Sequence, residues 1–304
     1  MKVDVVIINW NSGTLLHQCV DSVLASAAVD KISSIIIVDN HSTDDSISIL
    51  PQHHSIRIIY NNSNVGFSKA CNQGFKAVQS DYVLLLNPDT MMYSETIENS
   101  ILYMDAHPET GIMGCQLLDE AGRITPSCAR FPRAVDFVIH GTGLSRLFPK
   151  VFRPATLMTD WKHDESREVD QVMGAFMFMR KSIFEHIGFF DERFFVYFEE
   201  LDFSLRYHQA GGKIFFNAGI KAIHSGMGTT DKVKAFRLFL NLRSRLQYAR
   251  KHFSTFGFVA VYLSTFSVEF LMRFFMLFFS GRFSEVKDLF KGYGMLWGGR
   301  RIGG

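Results

Sequence analysis

The stretch that most constrains this chain is Tyr82-Val83-Leu84-Leu85-Leu86, followed at once by Asn87-Pro88-Asp89. Five large apolar residues are too few for a helix, and Pro88 cannot donate to a ladder, so the run reads as a buried strand that stops there. The strand delivers Asp89 to a sheet edge. In an open parallel α/β sheet the carboxyl ends of strands are where ligands bind, which makes Asp89 a candidate for holding a metal or a hydroxylated ligand. Turn formation after a core strand is the alternative use of Asn87 and Asp89.

The segments before that strand alternate. Residues 3–8 form a β-branched strand, Asn9-Trp10-Asn11-Ser12-Gly13 is turn chemistry, and 15–25 carries apolar residues at helical spacing. A second buried strand at 35–38 ends in Asp39, and Ser42 or Thr43 can cap a helix running to 49. A third strand at 57–60, a polar loop from Asn61 to Phe67 and a helix over 68–78 complete the N-terminal half. Successive strand–helix units predict a parallel sheet with right-handed crossovers. A dinucleotide fold would need G-x-G-x-x-G in the first loop, which here has the single Gly13. A nucleotidyltransferase would place a Gly-rich basic phosphate loop at the same point.

Further along, 111–118 reads as a strand, 119–123 as a hairpin-like turn, and 126–168 as an ordered but irregular region over the site. Gly174 permits close backbone approach to a ligand before another strand. A short helix over 181–187, a turn at 188–192 and a helix from Glu199 to about 210 follow. Glu199, Glu200 and Asp202 are suited to a helix N-terminus by the macrodipole. The aromatic run Phe194–Phe198 that precedes them also fits a carboxylate desolvated toward the proton affinity of a general base. Asp39 at its strand end can accept hydrogen bonds from a base or ribose, or serve as a turn former. His224 follows the apolar end of another strand, where a histidine is either structural or a ligand.

Eight motifs in order carry a family resemblance. They are 5–11 (VVIINWN), 38–44 (VDNHSTD), 64–74 (NVGFSKACNQG), Leu86-Asn87-Pro88-Asp89, Gly174-Ala175-Phe176, 188–192 (GFFDE), 197–202 (YFEELD) and His224. Over residues 3–228 the chain resembles the inverting family 2 glycosyltransferases with the GT-A fold, in particular the bacterial rhamnosyltransferase-like branch. The resemblance implies an α/β fold with a mostly parallel Rossmann-like sheet and helices on both faces. It implies that Asp39 contacts the nucleotide base and that Asp89 is the acid of the DXD motif, holding Mg²⁺ or Mn²⁺ with help from His224. Glu200 is implied as the base, with Glu199 the alternative, and Asn9, Asn11, Asn64, Gly66, Phe67, Asn72, Asn87 and Gly174 as donor-binding. Two departures stand out: Asn87 replaces the first acid of the DXD pattern, and the usual Glu-Asp of the base motif is Glu199-Glu200. The resemblance further implies a nucleotide-sugar donor, dTDP-rhamnose in that branch, and a lipid-linked saccharide acceptor. A non-catalytic sugar- or nucleotide-binding module of the same shape would not need Glu200.

Charge is distributed unevenly along the 304 residues. From Lys232 onward there are 13 Lys or Arg against Glu269, Glu285 and Asp288, a net +10, which leaves −8 on residues 1–231 of a chain whose total is +2. The total gives no argument for nucleic acid, whereas the split favours an anionic surface touched by the C-terminal part. Residues 1–230 are expected to be the catalytic domain and 231–304 a basic, Phe-rich helical segment. Within it 232–253 reads as a basic helix, and 253–268 is a run of 16 residues without charge, followed by Glu269 and Arg273 at pairing distance. Membrane-surface helices against anionic headgroups are favoured over a helical pair that makes a homodimer. Cys19, Cys71, Cys115 and Cys128 lack paired spacing and read as reduced thiols. With no signal-peptide pattern at the N-terminus, a cytoplasmic protein on the inner face of the plasma membrane is expected.

Overall fold

The computed structural model describes residues 1–148, 151–152, 154–226 and 234–298. The elements run β1 (Val3–Asn9), α1 (Thr14–Leu24), β2 (Ile32–Asp39), β3 (Ile56–Tyr60), α2 (Phe67–Ala77), β4 (Tyr82–Leu86), β5 (Thr90–Met92), α3 (Thr96–Ala106) and β6 (Thr110–Leu118). Then come β7 (Ile124–Thr125), β8 (Cys128–Ala129), α4 (Ala134–Gly141), α5 (Leu144–Leu147), β9 (Arg167–Glu168), β10 (Gln171–Val172), β11 (Phe176–Arg180) and α6 (Ile183–Ile187). The chain closes with α7 (Glu199–Gln209), β12 (Lys213–His224), α8 (Lys234–His252), α9 (Thr255–Ser264), α10 (Phe270–Phe279) and α11 (Phe283–Trp297).

The main sheet has the order β3-β2-β1-β4-β11-β6-β12-β5. Its N-terminal half, β3-β2-β1-β4, is parallel throughout, as the alternation of strands and helices predicts. The other half is mixed: β11 runs against both β4 and β6, β12 is parallel to β6, and β5 runs against β12. Period-2 alternation assigns the faces. Val3, Val5 and Ile7 join Leu16, Val20, Ile97 and Ile101 of α1 and α3 in one core. Val6 points the opposite way, so close to α2 that a Cβ on Gly74 would lie 2.4 Å from its Cγ1. Helices therefore cover both faces. Fully buried Val and Ile side chains of this kind contribute about 1.5–3 kcal/mol each.

Two segments differ from expectation. Residues 44–49 form turns and no helix: the expected caps are engaged elsewhere, Ser42 Oγ accepting from Asn9 Nδ2 at 3.0 Å and from the Asn11 N–H at 2.9 Å, and Thr43 Oγ1 donating to Asn11 Oδ1 at 3.3 Å. The stretch read as irregular contains α4 and α5. Asp136 caps α4 from its third position, its carboxylate accepting the Arg133 N–H at 2.8 Å.

The chain divides into two compact units. The first holds Met1–Ala129, Trp161–Glu192 and Glu199–Thr229, and the second Arg130–Asp160, Arg193–Phe198 and Thr230–Gly304. In the second, α9 and α10 join through a π-helical turn, Thr265–Glu269, into one helical run, Thr255–Phe279, long and apolar enough to cross a membrane by length and composition. Glu269 lies in the middle of this run, 3% exposed. It meets Arg273 at 2.8 Å, the pairing that the spacing predicts, and also Arg245 of α8 at 2.5 Å. The two guanidiniums hold the Glu269 carboxyl below the usual glutamate range against the opposing effect of burial. A group whose folded pKa is depressed stabilises above its unfolded pKa, about 4.3, and loses that contribution as pH falls below it. Glu269→Ala leaves the buried Arg245 uncompensated and is expected to destabilise the second unit by about 3–5 kcal/mol, read by denaturant unfolding. A loss under about 1 kcal/mol would show that water already reaches Arg245.

Candidate active site

The carboxyl ends of β2, β1 and β4 lie side by side. Asn9 and Asp39 are register partners at the ends of β1 and β2, and both are buried. The Asn9 Nδ2 donates to Asp39 Oδ1 at 2.9 Å, Ser42 Oγ at 3.0 Å and Ser46 Oγ at 2.8 Å. The Ser42 N–H donates to Asp39 Oδ2 at 3.2 Å. Asp39 is thus held by its own turn and by the neighbouring strand, and Asn9 Oδ1 is left buried without a partner. Asn11, in the left-handed region at φ 52°, accepts the Thr43 N–H at 2.7 Å and so pins the first loop to the second.

Beyond Asp39 a web of amides shapes the loop into α2. Asn40 donates to Asn64 Oδ1 at 2.9 Å and accepts the Val65 N–H at 3.0 Å, and Asn64 Oδ1 also takes the Gly66 N–H at 3.0 Å. Gly66, at φ 90° and ψ 161°, occupies backbone space that an L side chain rarely enters, immediately before Phe67. Asn61 and Gln73 exchange hydrogen bonds at 2.9 and 2.8 Å.

Asn72 is engaged elsewhere. Its amide accepts the Phe190 N–H at 3.0 Å and donates to the Phe190 carbonyl at 2.9 Å and to Glu192 at 3.0 Å. Arg206 of α7 donates to the Phe189 carbonyl at 2.7 Å and to Asp202 at 2.9 Å, while Phe190 packs edge-on against Phe203 at 5.1 Å. One turn, 187–192, therefore links α2 to the helix that opens with Glu199 and Glu200.

At β4 the chain breaks at Pro88, and Thr90 re-enters the sheet paired with His224. That pairing brings Asp89 Oδ1 to 3.3 Å from His224 Nε2, with side chains 10% and 14% exposed. Asn87 donates its N–H to the Ala175 carbonyl at 3.1 Å, which sets Gly174 beside the end of β4. A Cβ on Gly174 would lie 2.3 Å from Glu200 Oε1, so only glycine leaves room for that carboxylate. Burial pushes the Glu200 carboxyl above the ordinary glutamate range, with backbone N–H groups, that of Gly174 among them, opposing the rise. Glu199 is buried beside it. Tyr197 and Phe198 precede this pair in consecutive left-handed conformations, φ 69° and 71°, each costing about 1–3 kcal/mol. Aromatic side chains give no hint of that strain in the sequence.

The site thus gathers Asp39, Asp89, His224, Glu199, Glu200 and Gly174 within the first unit, at the strand ends where an α/β sheet binds ligands. The model for Glycosyl transferase family 2 matches residues 4–188, more than half of the chain and every element from β1 through α6. The chain belongs to glycosyl transferase family 2. This glycosyltransferase is 24% identical over 268 residues to N-acetylglucosaminyl-diphospho-decaprenol L-rhamnosyltransferase of Mycobacterium tuberculosis, across 84% of this chain and 83% of that one. It is 29% identical over 198 residues to Rhamnosyltransferase WbbL of Escherichia coli, across 63% and 69%. Among solved structures it is similar to the mannosyltransferase PcManGT from Pyrobaculum calidifontis in complex with GDP-Man and Mn²⁺, at TM-score 0.56 and 15% identity, covering 100% of this chain and 76% of that one. The fold is GT-A, with the mixed sheet described above. The family match ends before Glu199, Glu200 and His224, whose grouping rests on the geometry alone.

Some of the glycosyltransferase's site was absent from the sequence reading. Asn40, Ser42 and Ser46 lie within or beside motifs quoted for the family, yet their hydrogen bonds to Asn9, Asn64 and Asp39 needed coordinates. Arg206 had a signal: it stands four residues after Asp202, the spacing of a helical ion pair.

Proposed function

We propose that the protein is an inverting, metal-dependent glycosyltransferase that moves a sugar, rhamnose from dTDP-rhamnose being the foremost candidate, onto a hydroxyl of a lipid-linked saccharide at the cytoplasmic face of the plasma membrane. The observation that carries the reading is the convergence of Asp39, the Asp89–His224 pair and Glu200 on one strand edge. Both relatives are named as rhamnosyltransferases, which supports the sugar, and the diphospho-decaprenol in the name of the Mycobacterium tuberculosis relative supports the lipid-linked acceptor.

In this mechanism Asp39, fixed by Asn9 and Ser42, accepts hydrogen bonds from the nucleotide base. The loop from Asn64 through Phe67 and the Asn87 backbone line the donor's path, and Asn11 keeps the two flanking loops together. Asn72 contributes by holding the 187–192 turn. Glu200, its proton affinity raised by burial, takes the proton of the acceptor hydroxyl as that oxygen attacks the anomeric carbon from the face opposite the diphosphate. The C1–O bond to the diphosphate breaks in the same displacement, and the configuration inverts.

Asp89 and His224 are the residues that would hold Mg²⁺ or Mn²⁺. Among the described residues there is no group of three or more His, Cys, Asp and Glu side chains that could hold a metal. A two-donor pair fits a hard cation that takes its remaining ligands from diphosphate oxygens and water. Held there, such a cation would supply charge neutralisation to the departing diphosphate. The test is a screen of nucleotide sugars for nucleoside diphosphate release that requires both a divalent cation and a lipid-linked acceptor. Release is expected for at least one donor. Binding without turnover of any donor would favour a non-catalytic binding module.

A further inference from the structure

One face of the Thr255–Phe279 helical run is apolar from end to end and uncovered by its own unit. Phe256, Leu263, Leu271, Phe275 and Phe279, spaced by sevens, eights and fours along one side, are 85, 59, 50, 47 and 81% exposed. At 1.5 Å per residue the stripe is about 35 Å long. The only charged residues of the run are Glu269, which is buried, and Arg273, whose side chain is 31% exposed. The stripe continues onto α11, where Phe283 meets Phe278 at 5.7 Å. On α11 the exposed residues alternate in kind: Lys287, Phe290, Lys291 and Trp297. Apolar surface on this scale marks an interaction site, and aromatics bordered by lysines are the signature of a helix lying in a membrane interface.

We propose that this face docks the protein on an anionic lipid bilayer, with the Thr255–Phe279 run lying in the plane of the interface and not crossing it. The proposal rests on the reading above that the acceptor is lipid-linked. Charge complementarity selects the partner, since the segment from Lys232 onward carries +10 and α11 presents its lysines beside the exposed rings. The ion triad selects the orientation. Glu269 is the fifteenth of 25 residues in the run and is bound to Arg245 on α8, a helix that also bears Arg237, Arg243, Arg250 and Lys251. A spanning run would have to carry Glu269 and its two arginines to the middle of the hydrocarbon, or tear Glu269 from α8. In the interface the triad stays buried in protein and only the apolar stripe enters lipid.

The test uses the full chain and vesicles of phosphatidylcholine with or without phosphatidylglycerol. Flotation is expected with the anionic vesicles and is lost in Phe275→Ser/Phe279→Ser. Lys287→Ala/Lys291→Ala is expected to lower partitioning about thirtyfold, a factor of about five for each lysine at an anionic surface. Fluorophores on Phe256→Cys and Phe275→Cys, placed against a background of four buried native cysteines, report depth. Equal, shallow quenching of both from the outer leaflet supports the in-plane helix. Quenching of the two from opposite leaflets overturns it in favour of a span. A chain that ignores both kinds of vesicle overturns it too, and a fall from dimer to monomer in the serine variant would then assign the face to a second copy. Transfer to a water-soluble acceptor analogue, read on the same variants, is expected to be unchanged. A chain that floats but turns over no donor sinks the transferase reading and leaves the docking surface standing.

Discussion

Glu200→Gln is expected to lower kcat by about 10²–10⁴, the range for loss of a general base, while leaving donor affinity within about twofold. The glutamine matches the carboxylate in shape and keeps the space that Gly174 leaves, so the fold is not challenged. What it lacks is the ability to take a proton. Burial holds the Glu200 carboxyl above its ordinary range, and the base acts as the carboxylate. The rate should therefore fall as pH drops through a value above about 4.3, the model glutamate pKa. That acidic limb is expected to disappear from the residual activity of the variant. Single-turnover rates with donor bound, across pH, provide the check. If Glu199→Gln loses transfer and Glu200→Gln retains it, the two carboxylates exchange roles.

The second large effect concerns Asp89. Asp89→Asn is expected to weaken cation-dependent donor binding on the order of a hundredfold, given the several kcal/mol that a cation supplies at a diphosphate. Its donor affinity should approach that of the unmodified chain in EDTA. Asn87 cannot compensate, being an amide with no charge to offer. The fold should survive, because Asp89 sits after the strand and its pairing is with His224 rather than with the core. Calorimetric titration of nucleoside diphosphate with and without Mn²⁺ reads the change. Equal cation dependence in both proteins would remove Asp89 from the metal site.

Much of the first unit was legible because strands broadcast themselves. Residues 3–8, 35–38 and 82–86 are rich in Val, Ile and Leu, with ends marked by Asn9, Asp39 and Pro88, and the structure closes β1 at Asn9, β2 at Asp39 and β4 at Leu86, two residues before Pro88. Asp39 and Asp89 could be placed at strand ends on that basis alone. Strand direction was harder to read. Nothing in Phe176–Arg180 says that β11 runs against β4, and the three-residue β5 exists only because β12, more than 100 residues later, pairs with it. The Asp89–His224 pair depends on that long-range contact. Local polar competition explains the missing helix at 44–49, where the expected caps Ser42 and Thr43 are taken by Asn9 and Asn11. Asn72 shows the same limit in reverse: an amide in the 64–74 motif points by resemblance toward the donor, and its partner, the Phe190 backbone, lies 118 residues away. The second unit was legible as composition, through its phenylalanines and basic residues, yet the inclusion of Arg130–Asp160 in it had no sequence mark.

The proposed transfer is a single displacement in which one carboxylate, Glu200, deprotonates the acceptor as the diphosphate leaves. The anomeric configuration of the product, read from the one-bond carbon–proton coupling at the transferred sugar's C1, tests it most directly. Inversion relative to the donor is the predicted result. Retention would require two successive displacements or a front-face mechanism, and would contradict the assignment of Glu200 as the base.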